Sequence, residues 1–264
     1  MESHVPDPPR ATVLERLDLA VAGGIVERLA GEDNGPESLV QTSFWRPAPA
    51  DRPAWIAGLL ALRGFRLDDH EVACVLTGAP GRFRPEHQEF KLVRGFAELT
   101  DAIVTRAAAG QTVDGWWLVE MFRRTTEGIE RFRNNTLRRD MPWDALVGVR
   151  YPEPGEVQPQ LDRFHVSASF GDDPAVFASL HPVRQAVRLM WRFAHIAPFP
   201  DFNLPFAAVA FATHLLACGY PPLLPDAGDR VRLQRLVRGR APLRALALES
   251  RLLEQVSGSN SRTV

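Results

Sequence analysis

Apolar residues return every three or four positions in one segment of the chain after another, and this spacing is typical of amphipathic helices. It begins at 11–30, where two glycines weaken the pattern without ending it. The same spacing marks 54–62, 85–110, 113–124, 157–164, 182–196 and 205–217, and 230–256 supplies one or two more helices. The sequence therefore predicts a mainly α protein.

The segment 131–151 departs from this helical pattern. Its apolar runs are short, and they are separated by Asn134, Asn135, Pro142 and Gly148 before the chain reaches Pro152 and Pro154. Turn residues at such intervals favour a hairpin or an extended flap. We therefore predict a helical bundle with a small β-hairpin flap.

Length and composition limit the number of domains. A chain of 264 residues that is 45% hydrophobic and 24% charged is typical of a soluble globular protein with one main core. We expect an N-terminal helical region at 1–60, a core domain at 61–256 and a disordered tail at 257–264, where small polar residues dominate.

The charge pattern disfavours two classes of partner. The 31 basic and 32 acidic side chains nearly cancel, and the arginines are scattered along the chain rather than gathered into one stripe. Nucleic acids and anionic membranes both require a basic surface, so we expect neither as a partner. The longest apolar stretch, 204–218, is interrupted by Pro205, Thr213 and His214, which argues against a membrane span.

The cysteines and the start of the chain indicate a cytoplasmic protein. Cys74 and Cys218 lie far apart in apolar surroundings, which suits reduced thiols. Residues 1–9 are rich in proline and lack the apolar region of a secretory signal. Three histidines, His165, His181 and His214, have no ligand-type partners at suitable spacing. We expect no metal and no cofactor.

One stretch carries the strongest functional signal. Residues 197–205 read A-P-F-P-D-F-N-L-P and precede a predicted helix. They resemble the signature H-P-F-x-x-G-N-G-R-x-x-R of the Fic (Fido-fold) family, in which it stands at the start of a helix. With two further blocks, the resemblance covers roughly 68–224 and implies a Fido-fold helical bundle.

The resemblance also implies that nucleotide transfer is lost. The family's catalytic His falls on Ala197, its two glycines on Phe202 and Leu204, and its arginines on Pro205 and Ala208. Alanine cannot act as the base for an attacking hydroxyl. Side chains at the glycine positions and a proline without an N–H weaken the anion site at the helix start. We therefore expect AMP transfer to be absent and ATP to bind poorly.

The other two blocks resemble the family's flap and its inhibitory helix. Residues 131–133 with 151–157 are similar to the strand, flap and helix start, which implies that 145–150 holds an incoming target segment by β-augmentation. Residues 73–78 look like the inhibitory motif S/T-x-x-x-E-G, with Ala73 and Thr77 at its Ser and Glu positions. The inhibitory Glu is therefore also missing.

Four residues are candidates for a changed chemistry. Asp201 and Asn203 are retained from the signature, and they either act in chemistry or serve the local fold, with Asn203 capping the next helix and Asp201 shaping the turn. His195 points about 200° away from position 197 on a continuous helix, so it serves as a base only if that helix ends early. Arg133 is the fourth candidate, on the expectation that it faces the cleft.

Five residues are candidates for substrate binding. They share a position near the implied cleft or on the flap, and they are Phe199, Phe202, Asn134, Trp143 and Val149. Aromatic residues are by default part of a core. A pocket that keeps aromatics and loses anion donors should prefer a less charged ligand. Arg138 and Arg139 are expected in a solvated turn.

These observations leave open two main functions. In the first, a repurposed Fido enzyme performs acid–base, elimination or group-transfer chemistry on a small molecule or a protein side chain without a polyphosphate. In the second, a non-catalytic module binds a partner segment along the flap. Residual nucleotidyl or glycosyl transfer is a third, weaker possibility, and the oligomeric state is left open.

Overall fold

The computed structural model describes residues 51–164, 174–179 and 182–219, together with 234, 237 and 238. Its helices pack around one shared hydrophobic core. They are α1 (Asp51–Arg63), α2 (Asp69–Thr77), α3 (Gln88–Ala108), α4 (Gly115–Thr125), a 3-10 turn at Glu130–Phe132, α5 (Pro154–Asp162), α6 (Pro174–Ser179), α7 (Pro182–Ile196) and α8 (Asn203–Ala217). The mainly α prediction is confirmed.

Helix α8 forms the centre of the bundle. Every residue from Asn203 to Leu216 is buried, and the helix packs against α7, α3, α1 and α4. A helix that is apolar on all faces must be surrounded by protein, because no side of it can face water without exposing hydrophobic surface. The long apolar stretch of the sequence is therefore the axis of the core.

Local capping explains where several helices begin and end. Asp68 accepts a hydrogen bond from the Glu71 backbone at 2.7 Å and Glu71 bonds back to Asp68, which forms a capping box at the start of α2. Gly78 ends this helix in the left-handed conformation, at φ +71°. Asp114 caps α4 through the Trp117 N–H at 2.7 Å. None of the described helices is long and apolar enough to cross a membrane.

An aromatic cluster joins α3, α4 and α8 to the loop before α8. Phe122 stacks on Phe199 with ring centroids 4.1 Å apart, and Phe206 meets Phe199 edge-on at 5.1 Å. Phe96 contacts Phe206 at 6.3 Å. Rings in these offset and edge-to-face arrangements contribute beyond the area that they bury. The cluster fixes the loop before α8 against the core.

The predicted β-hairpin is not formed. Residues 131–151 contain the end of the 3-10 turn followed by bends and turns, and no strand occurs in this described segment. The segment makes single backbone contacts with another loop, from the Arg138 N–H to the Pro198 carbonyl at 2.9 Å and from the Trp143 N–H to the Pro200 carbonyl at 2.7 Å. It is a loop docked on a loop, so it needs no strand pairing within itself.

One predicted domain boundary, between residues 60 and 61, lies within the described part of the chain and falls inside a helix. Helix α1 spans residue 60, and Trp55, Leu59 and Leu62 lie in the same core as α8. Residues 1–50 and the segments 230–233 and 239–264 lie outside the described residues, as do His165 and His181. The predictions made for those parts of the chain stay predictions.

Candidate functional site

The loop between α7 and α8 carries the residues that the sequence singled out. Helix α7 ends at Ile196, and the two residues that bracket the loop, Ala197 and Phe202, adopt left-handed backbone angles with φ +42° and +63°. Residues other than glycine pay about 1–2 kcal/mol for this conformation, and they keep it only where the surroundings enforce it. The surrounding residues therefore fix the backbone conformation of this loop.

Phe199 and Phe202 belong to the hydrophobic core. Both side chains are fully buried. Phe202 stacks on Phe65 at 5.9 Å and meets Phe132 edge-on at the same distance. Neither ring presents any surface to solvent, so their role as substrate contacts stays a prediction. Burial of the ring is also what compensates the strained backbone of Phe202.

Asn203 holds the loop closed. Its Oδ1 accepts from the Phe199 N–H at 2.9 Å, and its Nδ2 donates to the Phe199 carbonyl at 2.9 Å. Helix α8 begins at Asn203 itself, with Phe202 as the residue before the first turn. The side chain therefore bridges the loop backward, whereas the sequence had suggested a cap for a helix starting at Pro205.

Asp201 lies inside the protein between two arginines. Its carboxylate is fully buried, and Oδ1 accepts from the Phe202 N–H at 2.8 Å and from Arg63 Nε. Oδ2 has an ionic contact with Arg131 Nη2 at 3.4 Å, longer than a hydrogen bond. Burial lowers the pKa of Arg131, while the charge of Asp201 opposes that change. Asp201 stabilises both arginines, whose own charges repel each other, and no part of Asp201 is accessible to a substrate.

Asp144 is the functional group that sequence reasoning missed. Its Oδ2 accepts from the Asn203 backbone N–H at 2.7 Å, and its Oδ1 accepts from Asn203 Nδ2 at 2.8 Å. The pKa of this carboxyl is raised to about 6, mainly by burial; the hydrogen bonds from Asn203 lower the pKa and the charge of nearby Asp201 raises it within that net value. The carboxylate of Asp144 thus accepts the hydrogen bond of the first N–H of α8, at the end of the helix that favours an anion.

Arg138 anchors the segment that carries Asp144. The residue is 5% exposed, so the expectation of a solvated turn is wrong for Arg138, whereas neighbouring Arg139 is exposed. Its Nε donates to the Ala197 carbonyl at 2.7 Å, Nη1 to the Asp140 carbonyl at 3.1 Å and Nη2 to the Pro152 carbonyl. Burial lowers the pKa of this guanidinium, which is stabilised by backbone oxygens and by the charge of Glu153.

A cavity of about 270 Å³ opens beside these groups. Its wall combines the docked segment, the start of α8, the end of α1 and part of the C-terminal region. The lining residues are Leu62, Arg63, Trp143, Asp144, Ala145, Leu146, Val147, Tyr151, Ala194, Asn203, Leu204, Gln234, Val237 and Arg238. Trp143 is 52% exposed and Val147 86% exposed, so apolar surface continues outward from the cavity.

The remaining candidates lie elsewhere. Arg133 and Asn134 line a separate depression of about 460 Å³, and Arg133 is exposed and paired with Glu130 at 3.6 Å. His195 packs on Trp191, with ring centroids 3.9 Å apart, and its Nδ1 lies 2.9 Å from the Trp191 carbonyl. Burial lowers the pKa of His195. Val149 is half-buried outside the cavity lining.

The structure therefore separates most of the predicted site. Asp201 and Asn203 come together with Asp144, and Trp143 lies at the cavity, but Arg133, Asn134 and His195 do not join them. Asp144 gave no signal in the sequence because its partner is 59 residues away.

Comparisons with known proteins place the fold. No protein-family model matches the sequence. A Fic-domain-containing signalling protein from Bacteroides thetaiotaomicron shares 16% identity, with a TM-score of 0.62 over 92% of this chain and 95% of that one. The chain is a Fic/Fido-fold protein. Fic-1 from C. elegans has a TM-score of 0.62 and 14% identity, over 95% of this chain and 74% of that one.

Two curated proteins are similar to part of this chain in sequence. The protein adenylyltransferases Fic of Drosophila willistoni and Drosophila virilis are each 27% identical to this chain, over 109 and 107 residues. These matches cover 40% of this chain and 20% and 21% of the relatives, so the Fic-fold chain spans about a fifth of the length of the curated relatives that it matches.

Proposed function

We propose that this Fic-fold protein does not transfer AMP and acts instead as a non-catalytic module that binds a partner segment beside the docked loop 138–151. The observation that carries the proposal is the closed network at the start of α8. Asp144 bonds to Asn203, Asn203 also bonds to Phe199, and Asp201 bonds to the Phe202 N–H and to Arg63. These groups therefore hold the chain itself at the helix start where a nucleotide phosphate would need open donors.

The loss of transfer rests on two physical arguments. The position that the resemblance assigns to the catalytic base is Ala197, which is 1% exposed and has no group to accept a proton. The first N–H of α8 is already bonded to Asp144 at 2.7 Å, and Pro205 supplies no N–H in the same turn. A polyphosphate at this site would have to displace the Asp144 carboxylate. It would then accept hydrogen bonds from fewer N–H groups than an unobstructed helix start provides.

Partner binding rests on the exposed apolar side chains of the docked segment. Met141, Trp143 and Val147 are 62%, 52% and 86% exposed. Large apolar residues that stand together in water on a soluble protein mark interaction sites. The segment is pinned at both ends through Arg138, so these side chains are presented on a fixed base and lose little freedom on binding.

The first test is transfer itself. Purified protein incubated with ATP labelled at the α-phosphate, in the presence of Mg²⁺, should incorporate no label into itself or into added protein extract. The proposal would be overturned if the wild type incorporates label robustly and the amount incorporated changes in Ala197→Asp or Pro205→Gly.

The second test is binding. A displayed peptide library should yield ligands for the wild-type chain, and Trp143→Asp should abolish their binding. Trp116→Asp is the matched control, because Trp116 is 42% exposed on α4 and lies outside the cavity lining. Peptides that lose affinity equally for both variants, or a library that yields none, would count against the binding module.

Acid–base chemistry at Asp144 is a second candidate function. The carboxyl lines a cavity open to solvent, and its pKa of about 6 lies close to the value that suits a general acid or base near neutral pH. A repurposed enzyme of this kind would act on a ligand without a polyphosphate. A thermal-shift screen over uncharged metabolites, followed by product analysis of each hit, separates this candidate from the binding module.

A further inference from the structure

Among the described residues, Asn203 holds the carboxylate of Asp144. Both of its oxygens accept hydrogen bonds from Asn203 alone, one from the backbone and one from the side-chain amide. No described residue forms an ion pair with it, although it lines a cavity that opens to solvent. A partly buried carboxylate held only by amides is incompletely compensated, and a cationic group that reached it would be stabilised.

Several charged or titratable groups of the described chain lie around Asp144. Arg63 on α1 favours its ionised form, but the Nε of Arg63 is bonded to Asp201. Asp201, in the loop before α8, disfavours that form. Tyr151 lies close enough for its own pKa to be raised by Asp144, and Arg238 lies on the same cavity wall. Arg63, whose charge favours ionised Asp144, thus bonds through its Nε to the other carboxylate.

We propose that the cavity receives a lysine side chain of the bound partner, whose ammonium group pairs with Asp144 while its methylene stem lies along Trp143 and Val147. The proposal rests on the binding function proposed above and specifies the chemistry of the partner. A lysine fits because its compact ammonium is carried on a flexible apolar stem. Trp143 and Val147 are both exposed beside Asp144, where that stem would pass.

The cavity also contains an opposing charge, which makes the proposal specific. Arg238 is exposed and lines the wall, so it repels an incoming ammonium group. Replacing Arg238 by Gln should therefore strengthen lysine binding. If the cavity instead takes an anionic ligand, the same replacement weakens binding, so the sign of the Arg238→Gln effect separates the two kinds of ligand.

The experiment uses two small probes that differ only in the amine. Nα-acetyl-lysine methylamide and Nα-acetyl-norleucine methylamide are titrated into the full chain at pH 7.5, and binding is followed by NMR shift changes or calorimetry. The lysine probe should bind at least about tenfold more tightly, since one charge-assisted pair separates the two. Equal affinities, or tighter binding of the norleucine probe, would overturn the proposal.

Two variants locate the amine. Asp144→Asn should reduce affinity for the lysine probe about tenfold or more and leave the norleucine probe unaffected. Asp140→Asn is the matched control, because Asp140 is an exposed carboxylate on the same segment outside the cavity. Loss of lysine binding in both variants would assign the effect to general surface charge and overturn the proposal.

A pH series on the wild type keeps the test independent of any variant. Because the pKa of Asp144 is about 6, affinity for the lysine probe should fall about tenfold from pH 7 to pH 5 as the carboxyl takes up a proton. Affinity that does not change with pH refutes the pairing. The binding module fails separately, through a peptide library without ligands; selected peptides that lack lysine would leave the module standing and refute this inference alone.

Discussion

Arg138→Ala should be the most destabilising single arginine replacement on the docked segment. The guanidinium makes three hydrogen bonds to carbonyl groups, of Ala197, Asp140 and Pro152, and truncation leaves the buried Ala197 carbonyl without its donor. Hydrogen bonds that involve a charged group contribute about 1.5–3 kcal/mol each, and relief from burying the charge offsets part of their loss. We expect the free energy of unfolding to fall by about 2–4 kcal/mol.

The assay is urea unfolding followed by circular dichroism, with Arg139→Ala as the matched control. Arg139 is the next residue, is exposed, and should change stability by less than about 0.5 kcal/mol when replaced. Arg138→Lys keeps the charge but loses the planar fork, so it should fall between the wild type and Arg138→Ala. Equal stabilities of the two alanine variants would refute the anchoring role of Arg138.

Three further predictions concern the loop before α8. Phe202→Gly should cost about 2–3 kcal/mol, because the lost ring outweighs relief of the positive φ; a more stable variant in urea unfolding refutes this. Asp201→Ala should cost about 3–5 kcal/mol by leaving Arg63 and Arg131 without their counter-charge, and adding Arg131→Ala should recover part of it; strict additivity in the double-mutant cycle would exclude the coupling. Burial raises the pKa of Asp144 from 3.8 to about 6, so the folded chain holds a proton that the unfolded chain releases between those values. Wild-type stability relative to Asp144→Asn should therefore be highest below pH 3.8 and fall by at most about 3 kcal/mol up to pH 7, and a difference that is constant with pH contradicts it.

The helices were predictable because their signals are local. The segment 182–196 matches α7 in both bounds, and 205–217 misses only the first two residues of α8. Apolar spacing, caps and prolines act within a few residues, so a single sequence contains them. Helix α6 is six residues long and carries too short a pattern to be recognised.

The site was harder to predict because its contacts are distant along the chain. Asn203 and Asp144 are 59 residues apart, and Arg63 and Asp201 are 138 apart. Retained polar residues in a signature invite a chemical interpretation, yet Asp201 and Asn203 bond to the protein. The flap was misjudged for a similar reason, since turn residues do not reveal whether a segment pairs with itself or docks on another loop.

The three carbonyl contacts of Arg138 also bear on how this protein can be altered. The guanidinium of Arg138 bonds to the carbonyls of Asp140 and Pro152 and to the loop at Ala197. It therefore holds the two ends of the segment between Asp140 and Pro152 together, whatever the length of that segment. Doubling a loop costs only about 0.6 kcal/mol in closure entropy when its ends are already held. The segment 145–149, which follows the bonds from Trp143 to Pro200 and from Asn203 to Asp144, is therefore a natural position for exchanging or lengthening sequence, as a grafted recognition loop on the helical scaffold.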